Sequence, residues 1–394
     1  LITPPDAALA VAPGTTRQGD IYLGGMMQRK PVVPSRQAEL EARAQDAMSA
    51  EAFAYIAGGA GREATMAANL AAFDRVRIRP RMLRDVGTRD LSATMLGRTR
   101  PHPLLVAPIG VQEMAHAEGD LATARACAAV GVPMIMSNQA SYSMEAIAAA
   151  GGAAERWFQL YWGKSDALVA SLVQRAEACG CTALVVTLDT ALLGWRTRDL
   201  DLAYLPFLQG KGIAQYTSDP VFRAMLGDRA RDPHAASLLF MTTYSNPTIT
   251  WDRLSFLRQH TKLPILLKGI NHPDDADLAI AHGMDGIIVS NHGGRQIDGA
   301  MAALDALADV AARVAGRIPV LFDSGIRSGA DVFKALALGA SSVLVGRPFV
   351  YGLAIAGQAG VEAVLRNMLA ELDLTMGLAG CRGVGDVGRQ ALLF

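Results

Sequence analysis

The chain has little of what marks a secreted, membrane-spanning or nucleic-acid-binding protein. It has four cysteines in 394 residues, Cys127, Cys179, Cys181 and Cys381. The Cys179-Gly-Cys181 spacing is too tight for a structural zinc pair, so the four read as reduced packing residues of a cytoplasmic protein, and no metal is expected. Basic and acidic side chains balance at 37 each, which leaves no overall charge to carry nucleic acid. No run approaches about 18 apolar residues without a charge or turn former, and the N-terminus has no long apolar stretch. Neither a membrane span nor a secretory leader is expected.

What remains is a large core, with 51% hydrophobic residues, and a repeated rhythm of short apolar runs. Candidate strands fall at 104–108, 132–136, 157–161, 183–188, 264–268, 286–290, 319–323 and 342–346. Helical composition fills segments between them, among them 119–129, 165–179, 273–282, 301–314 and 328–338. Runs such as Ala183-Leu-Val-Val-Thr-Leu188 suit strands covered on both faces. Eight such strands alternating with helices predict an α/β (β/α)8 TIM barrel, with an open doubly wound sheet as the alternative. The stretch 194–250 is too long for an ordinary barrel loop and reads as an active-site insertion after strand 4, partly an ordered lid and partly a mobile connection. Residues 1–100 read as a loose arm and a helical preface packed on the barrel, with helices over 35–53 and 63–73 parted by Gly58-Gly59-Ala60-Gly61. Residues 101–380 form the barrel, and 381–394 a tail.

In a barrel of this kind the chemistry gathers at the C-terminal ends of the strands. Here those ends carry Pro108-Ile109-Gly110, Ser137, Gln159 and Tyr161, Thr187 and Asp189, Lys268, and Ser290 followed by His292. The last two ends, Asp323-Ser-Gly325-Ile-Arg327 and Gly346-Arg347, offer glycine-exposed amides and arginine forks for a phosphate. This segment does not follow the Gly-x-Gly-x-x-Gly dinucleotide pattern, which weighs against a nicotinamide. The run Ser290-Asn-His-Gly-Gly-Arg-Gln296 brings a base and a fixed cation off one strand end together.

Ser290 through Gln296 resembles the active-site signature of the FMN-dependent 2-hydroxy acid oxidase and dehydrogenase family, and the resemblance covers nearly the whole chain after the arm. Gly194-Trp-Arg196-Thr-Arg-Asp199, Asp219-Pro-Val-Phe222, His272-Pro-Asp-Asp275 and Gly329-Ala-Asp331 look like its lactate 2-monooxygenase branch. The resemblance implies FMN as cofactor. Pro108, Ile109 and Gly110 would line the flavin, Ser137, Gln159, Thr187 and Ser290 would contact it, and Lys268 would face its pyrimidine side. Asp323, Gly325, Arg327, Gly346 and Arg347 would take its phosphate end. His292 would be the base, supported by Asp189. Arg196, Arg295 and Tyr55 would hold the substrate carboxylate, with Tyr161 near the hydroxyl.

The implied partners are a small L-2-hydroxy acid, foremost L-lactate, and molecular oxygen, in a homotetramer or larger homo-oligomer. The implied reaction is oxidative decarboxylation to acetate, carbon dioxide and water. Release of the 2-keto acid with hydrogen peroxide, a longer substrate or mandelate, and a dehydrogenase remain the alternatives. The chain departs from the family pattern at Arg62-Glu63, where relatives carry Asp-Glu, which puts a local ion pair in question. It also has Gln139 in place of a bulky aromatic, leaving Tyr142 and Trp162 to enclose an apolar substrate end.

Overall fold

The computed structural model describes residues 13–394; the first twelve residues of the expected arm lie outside them. Eight strands close into one parallel barrel in chain order: β1 Leu104–Val106, β2 Met134–Met136, β3 Arg156–Tyr161, β4 Leu184–Thr187, β5 Ile265–Lys268, β6 Gly286–Val289, β7 Val320–Phe322 and β8 Ser342–Val345. β8 pairs with β1 to shut the ring, Leu344 opposite Leu105. The expected (β/α)8 barrel is therefore what forms, and each candidate strand is present, the third longer by one residue and the others trimmed by one or two.

The strands are buried on both faces because alternate residues meet different apolar partners. Leu105, Ile135, Trp157, Val185, Leu266, Ile288, Leu321 and Leu344 form a separate buried cluster inside the ring. Their neighbours, such as Leu104, Phe158, Leu184 and Ile287, join the larger core beneath the helices. Two positions beyond the inner layer, on the same face by the period of the strand, stand Ala107, Ser137, Gln159, Thr187, Lys268, Ser290, Asp323 and Gly346. The polar floor of the mouth is thus set by strand register.

The arm is not loose over its described part. Pro13–Met26 is helical and is fastened by Gly14 N–H to Asp373 Oδ2 at 3.0 Å. Asp373 is fully buried and also receives both arms of Arg89 at 2.7 Å each. The single helix expected over 35–53 is two, Gln37–Ala47 and Ala50–Ala57, because Ser49 caps the second by accepting from Ala52 N–H at 3.2 Å.

The insertion is helical along most of its length, in short segments from Thr197 to Thr243. It has its own aromatic core of Phe207, Tyr216, Phe222, Phe240 and Tyr244, with Phe240 stacked on Tyr244 at 4.8 Å. The mobile connection expected there is replaced by this packing. Asp219 pins the insertion to the barrel: it caps Pro220–Leu226 and accepts from Arg175 on helix Asp166–Ala178 at 3.0 Å.

The helix Arg347–Ala379, 33 residues long, has the length and apolar content to cross a membrane, but its most apolar window is 67% buried. It packs on helices Pro13–Met26, Gln37–Ala47, Gly119–Val130 and Gly329–Ala337. Glycines that would ordinarily break a helix serve here for close approach, and only Gly357, at φ +56°, kinks it. The tail returns to the preface, Leu392–Leu393 pairing antiparallel with Arg77–Ile78.

Gly329 begins the helix that follows β7, and an added Cβ there would lie 2.2 Å from Leu372 N on the long helix. Backbone cannot yield as a side-chain tip can. Gly329→Ala is expected to cost at least about 1–3 kcal/mol by overpacking, read as a lowered Tm in thermal denaturation.

Candidate active site

One cavity opens at the C-terminal mouth of the barrel, walled by Tyr55, Pro108, Ile109, Gly110, Tyr161, Arg196, Lys268, His292, Arg295, Asp323, Gly325, Arg327, Gly346 and Arg347 among others. Ser137, Gln159, Thr187, Asp189 and Ser290 stand behind or beside that wall. The register sets Tyr161 beside Thr187 and Thr187 beside Lys268. The buried Lys268 ammonium donates to Ser290 Oγ at 2.8 Å and lies 3.2 Å from Asp323 Oδ2. Burial acts to lower its pKa, but the charges of Asp323 and Asp189 outweigh burial and raise it, so it stays a cation. Gln159 accepts from Asn138 N–H at 3.1 Å, while its Nε2 and the Thr187 hydroxyl are buried without a partner.

The segment after β6 turns sharply. His292, Gly293 and Gly294 have φ of +58°, +65° and +77°. A left-handed histidine is costly unless its surroundings impose it. Three side chains do so. Ser290 Oγ accepts from His292 N–H at 3.0 Å, and Ser324 Oγ accepts from Gly293 N–H at 3.0 Å. Asn291 Oδ1 accepts from Gly294 N–H at 3.1 Å. Asn291 is itself held by Asn69 through reciprocal amide bonds of 2.8 and 2.7 Å. The result aims His292 Nδ1 at Asp189 Oδ1, 2.8 Å away, with Thr190 Oγ1 at 3.3 Å. Gly269, at φ +105°, lets Asp189 approach, since a Cβ there would sit 2.9 Å from the Asp189 Cβ. Burial pushes the Asp189 carboxyl up, yet the charges of His292 and Lys268 hold it below the usual carboxylate range. For His292 burial wins over Asp189, and the imidazole falls below its ordinary pKa. The pair is therefore a carboxylate and a neutral imidazole whose Nε2 remains available.

Beside it lie two guanidinium groups. Arg295 is 5.0 Å over the Tyr55 ring and Arg196 is 6.0 Å from it. Arg295 donates to Gly58 O at 2.7 Å, and Arg196 to Gln296 Oε1 at 3.1 Å. Among the described residues neither has a carboxylate within ion-pair distance. Burial and the neighbouring Arg196 lower Arg295 to about 9. Two cations in a part-buried cleft with no direct ion pair, offset only at longer range by Asp199, are an anion site. Arg198 meets the retained Glu63 at 2.6 Å, while Arg62, standing where relatives carry the acid, forms no ion pair among the described residues.

At the β7 and β8 ends, Ser324 and Gly325 adopt φ of +85° and +92°. Arg327 lines the cavity, and no described acid forms an ion pair with it. Arg347, expected to face a phosphate, has each guanidinium nitrogen on a backbone carbonyl: Ile56 at 3.1 Å, Gly293 at 3.0 Å and Gly58 at 2.8 Å. It braces the preface against the His292 turn and keeps only its spare N–H groups for an anion. Tyr142 and Trp162 do not enclose the cavity. Tyr142 donates to Ala117 O at 2.7 Å, and Trp162 packs on Phe256 at 6.0 Å. The apolar wall comes instead from Ile56, Leu193, Phe207 and Tyr244. A Gly-x-Gly-x-x-Gly run does occur, at Gly383-Val-Gly385-Asp-Val-Gly388, but it follows a helix with no strand ahead of it and lies in the tail.

Comparison with known proteins agrees with this architecture. Residues 44–393 match the FMN-dependent dehydrogenase model, and the chain belongs to that family. It is 44% identical to "FMN-dependent alpha-hydroxy acid dehydrogenase qulF" of Penicillium citrinum, over 95% of this chain and 94% of that one. It is 43% identical to an L-lactate oxidase of Lysinibacillus sphaericus, over 94% and 95%. A mandelate oxidase variant solved with an FMN adduct superposes with a TM-score of 0.78 at 41% identity, covering 90% of this chain and 97% of that one. The protein is an FMN-dependent 2-hydroxy acid oxidoreductase. The cavity suits that cofactor. The unpartnered Gln159 Nε2 and Thr187 hydroxyl and the Lys268 cation can meet the carbonyl-bearing edge of a flavin ring, and Arg327 with the glycine-flanked amides near 325 and 346 can meet its phosphate.

Four residues behind this geometry were not singled out from sequence: Asn69, Asn291, Ser324 and Thr190. Asn291 and Ser324 sit inside the motifs and could have been found there; Asn69 lies on helix Ala64–Arg75 with no local signal. Removing its amide by Asn69→Ala takes two hydrogen bonds from Asn291, which keeps Gly294 N–H and Met301 O, and leaves Ala303 N–H without its acceptor, a buried loss that costs about 1–3 kcal/mol. The variant is expected to show a lower Tm and a larger loss of turnover than of FMN content, checked by calorimetry beside steady-state kinetics.

Proposed function

We propose that this protein oxidises an L-2-hydroxy acid, foremost L-lactate, and passes the electrons to oxygen, with the product decarboxylated to acetate, carbon dioxide and water. The observation that carries the reading is the pair of arginines, Arg196 buried and Arg295 half-buried, with no described carboxylate within ion-pair distance, beside a neutral histidine backed by Asp189. A guanidinium takes two carboxylate oxygens at once, so Arg196 and Arg295 hold the acid group. Tyr55 and Tyr161, both buried, can add directed hydrogen bonds. With the acid so placed, the substrate hydroxyl proton passes to His292 Nε2, and ionised Asp189 stabilises the resulting imidazolium. Bound FMN supplies the acceptor for the two electrons leaving the substrate α-carbon.

The lactate and decarboxylation parts of the reading rest on the sequence likeness to the lactate 2-monooxygenase branch. Gly110 also bears on them, because a Cβ there would meet Gln139 O at 2.7 Å, so the residue governs how closely the β2 loop approaches the cavity. Release of the keto acid with peroxide is the second reading, favoured by the L-lactate oxidase likeness.

His292→Ala is expected to slow anaerobic flavin reduction by roughly 100- to 10,000-fold while FMN stays bound. In the parent, kcat/KM should hold below the ordinary histidine value of 6.5 and fall only at lower pH, because the base is active in its neutral form and its pKa is depressed. Asp189→Asn should slow reduction and move that acid limb lower still, since the carboxylate that raises the imidazole is gone. An unchanged pH profile would remove Asp189 from the mechanism.

Anaerobic reduction by L-lactate, followed by oxygen and product analysis, tests the reaction. Acetate with little free peroxide supports decarboxylation. Pyruvate matched by peroxide supports the oxidase, and failure to reduce with any 2-hydroxy acid defeats the assignment.

A further inference from the structure

Gln139 follows β2 and lines the mouth cavity at 8% exposure. Its backbone is committed: the N–H donates to Ser137 Oγ at 3.0 Å and the carbonyl accepts from Val111 N–H at 2.8 Å. Its side-chain amide makes no hydrogen bond to any described residue. Gln112 and Gln215, also buried, differ. Gln112 donates to Ile109 O and accepts from Thr123 Oγ1, at 3.0 and 2.6 Å. Gln215 accepts from Met144 N–H at 2.8 Å and donates to two carbonyls. The amide opens on the cavity without a protein partner, so its donor and acceptor are available to whatever enters there.

The placement says what that is. β2 and β6 lie opposite one another in the ring of eight strands, so Gln139 and His292 rise from opposite sides of the mouth. A substrate fixed at its acid and hydroxyl by Arg196, Arg295 and His292 has only its side chain left to cross toward Gln139. Close to Gln139 the wall is glycine and aromatic, and the nearby Glu113 carboxylate is engaged by Gly212 N–H at 3.1 Å. A Cβ built on Gly212 would lie 3.0 Å from Gln139 O and 3.3 Å from the Phe207 ring, and Gly110 borders the Gln139 Cβ from the other side at 2.9 Å. A neutral amide among such neighbours can bond a polar group but cannot neutralise a charge.

We propose that Gln139 is a specificity-determining residue that hydrogen-bonds a neutral polar group, a hydroxyl or carboxamide, at the end of the substrate side chain. This rests on the 2-hydroxy acid reading above and refines it: L-lactate is turned over, but its methyl group gives the amide nothing to bond, and a polar-tailed acid of matching length is the better substrate.

The test uses FMN-loaded protein and pairs of L-2-hydroxy acids of equal shape, one ending in hydroxyl or carboxamide and the other in methyl or isopropyl, with tails of one to three carbons. L-glycerate against L-2-hydroxybutanoate is the shortest pair. In at least one pair the polar member should lead in kcat/KM by about tenfold, and Gln139→Leu should erase or reverse the preference while leaving L-lactate within about twofold. The matching 2-keto acids, titrated calorimetrically, should show the same selective loss of affinity without turnover. The two backbone bonds of residue 139 do not depend on its side chain, so FMN content and Tm should be kept, and Gln139→Asn, with a shorter amide, should shift the preference to a longer tail. Equal effects of Gln139→Leu on both members of every pair would overturn the proposal while leaving the hydroxy acid reading intact. Failure of every 2-hydroxy acid to reduce the flavin would overturn both.

Discussion

The structure depends on the phase of eight short strands. One inward residue per strand, from Leu105 to Leu344, packs the ring shut, and the next inward residue on each strand ends it in something small or polar. A slip of one position in any strand would place an apolar side chain in the mouth and bury a lysine, glutamine or aspartate under a helix. The energetic cost of that exchange is what fixes Lys268 beside Thr187 and Ser290, and so fixes where a flavin edge can sit.

On that floor, charge is distributed by pairing and by its deliberate absence. Lys268 is neutralised by Asp323, and Asp189 is held anionic by His292 and Lys268. Arg295 has no acid within ion-pair distance among the described residues, and burial together with Arg196 depresses its pKa despite the charge of Asp199. Buried ions are tolerated when paired, and the unpaired ones mark where a ligand completes the balance. The same logic applies to neutral groups: among the described residues Gln159 Nε2 and the Thr187 hydroxyl are buried on the floor without a partner, and the Gln139 amide opens on the cavity from the wall.

Elements outside the ring hold the mouth in register. Arg347 ties Ile56 and Gly58 to Gly293, Asn69 grips Asn291, and the insertion rests against the barrel through Asp219 and Arg175. The left-handed His292 is affordable only because these distant segments converge on it. A variant that loosens the preface is therefore felt at the base, although no preface residue other than Tyr55 belongs to the proposed machinery.

The sequence by itself determined the barrel, because eight apolar runs separated by helical segments have few other ways to bury both faces. It also located the strand-end side chains, since a residue's place on a strand fixes its height in the barrel, and the Ser290–Gln296 signature drew attention to His292 and Arg295. Contacts across the chain were decided only by folding. Arg347 reads as a phosphate ligand in one dimension; in three it lines the cavity and is also a brace, because the carbonyls it meets lie about 290 residues upstream or around the ring. Tyr142 and Trp162 read as pocket walls but turn to other partners, while Phe207 and Tyr244, from an insertion with no periodic signal, take their place. Periodicity records which face a residue shares with its neighbours; it carries no record of which distant segment that face will meet.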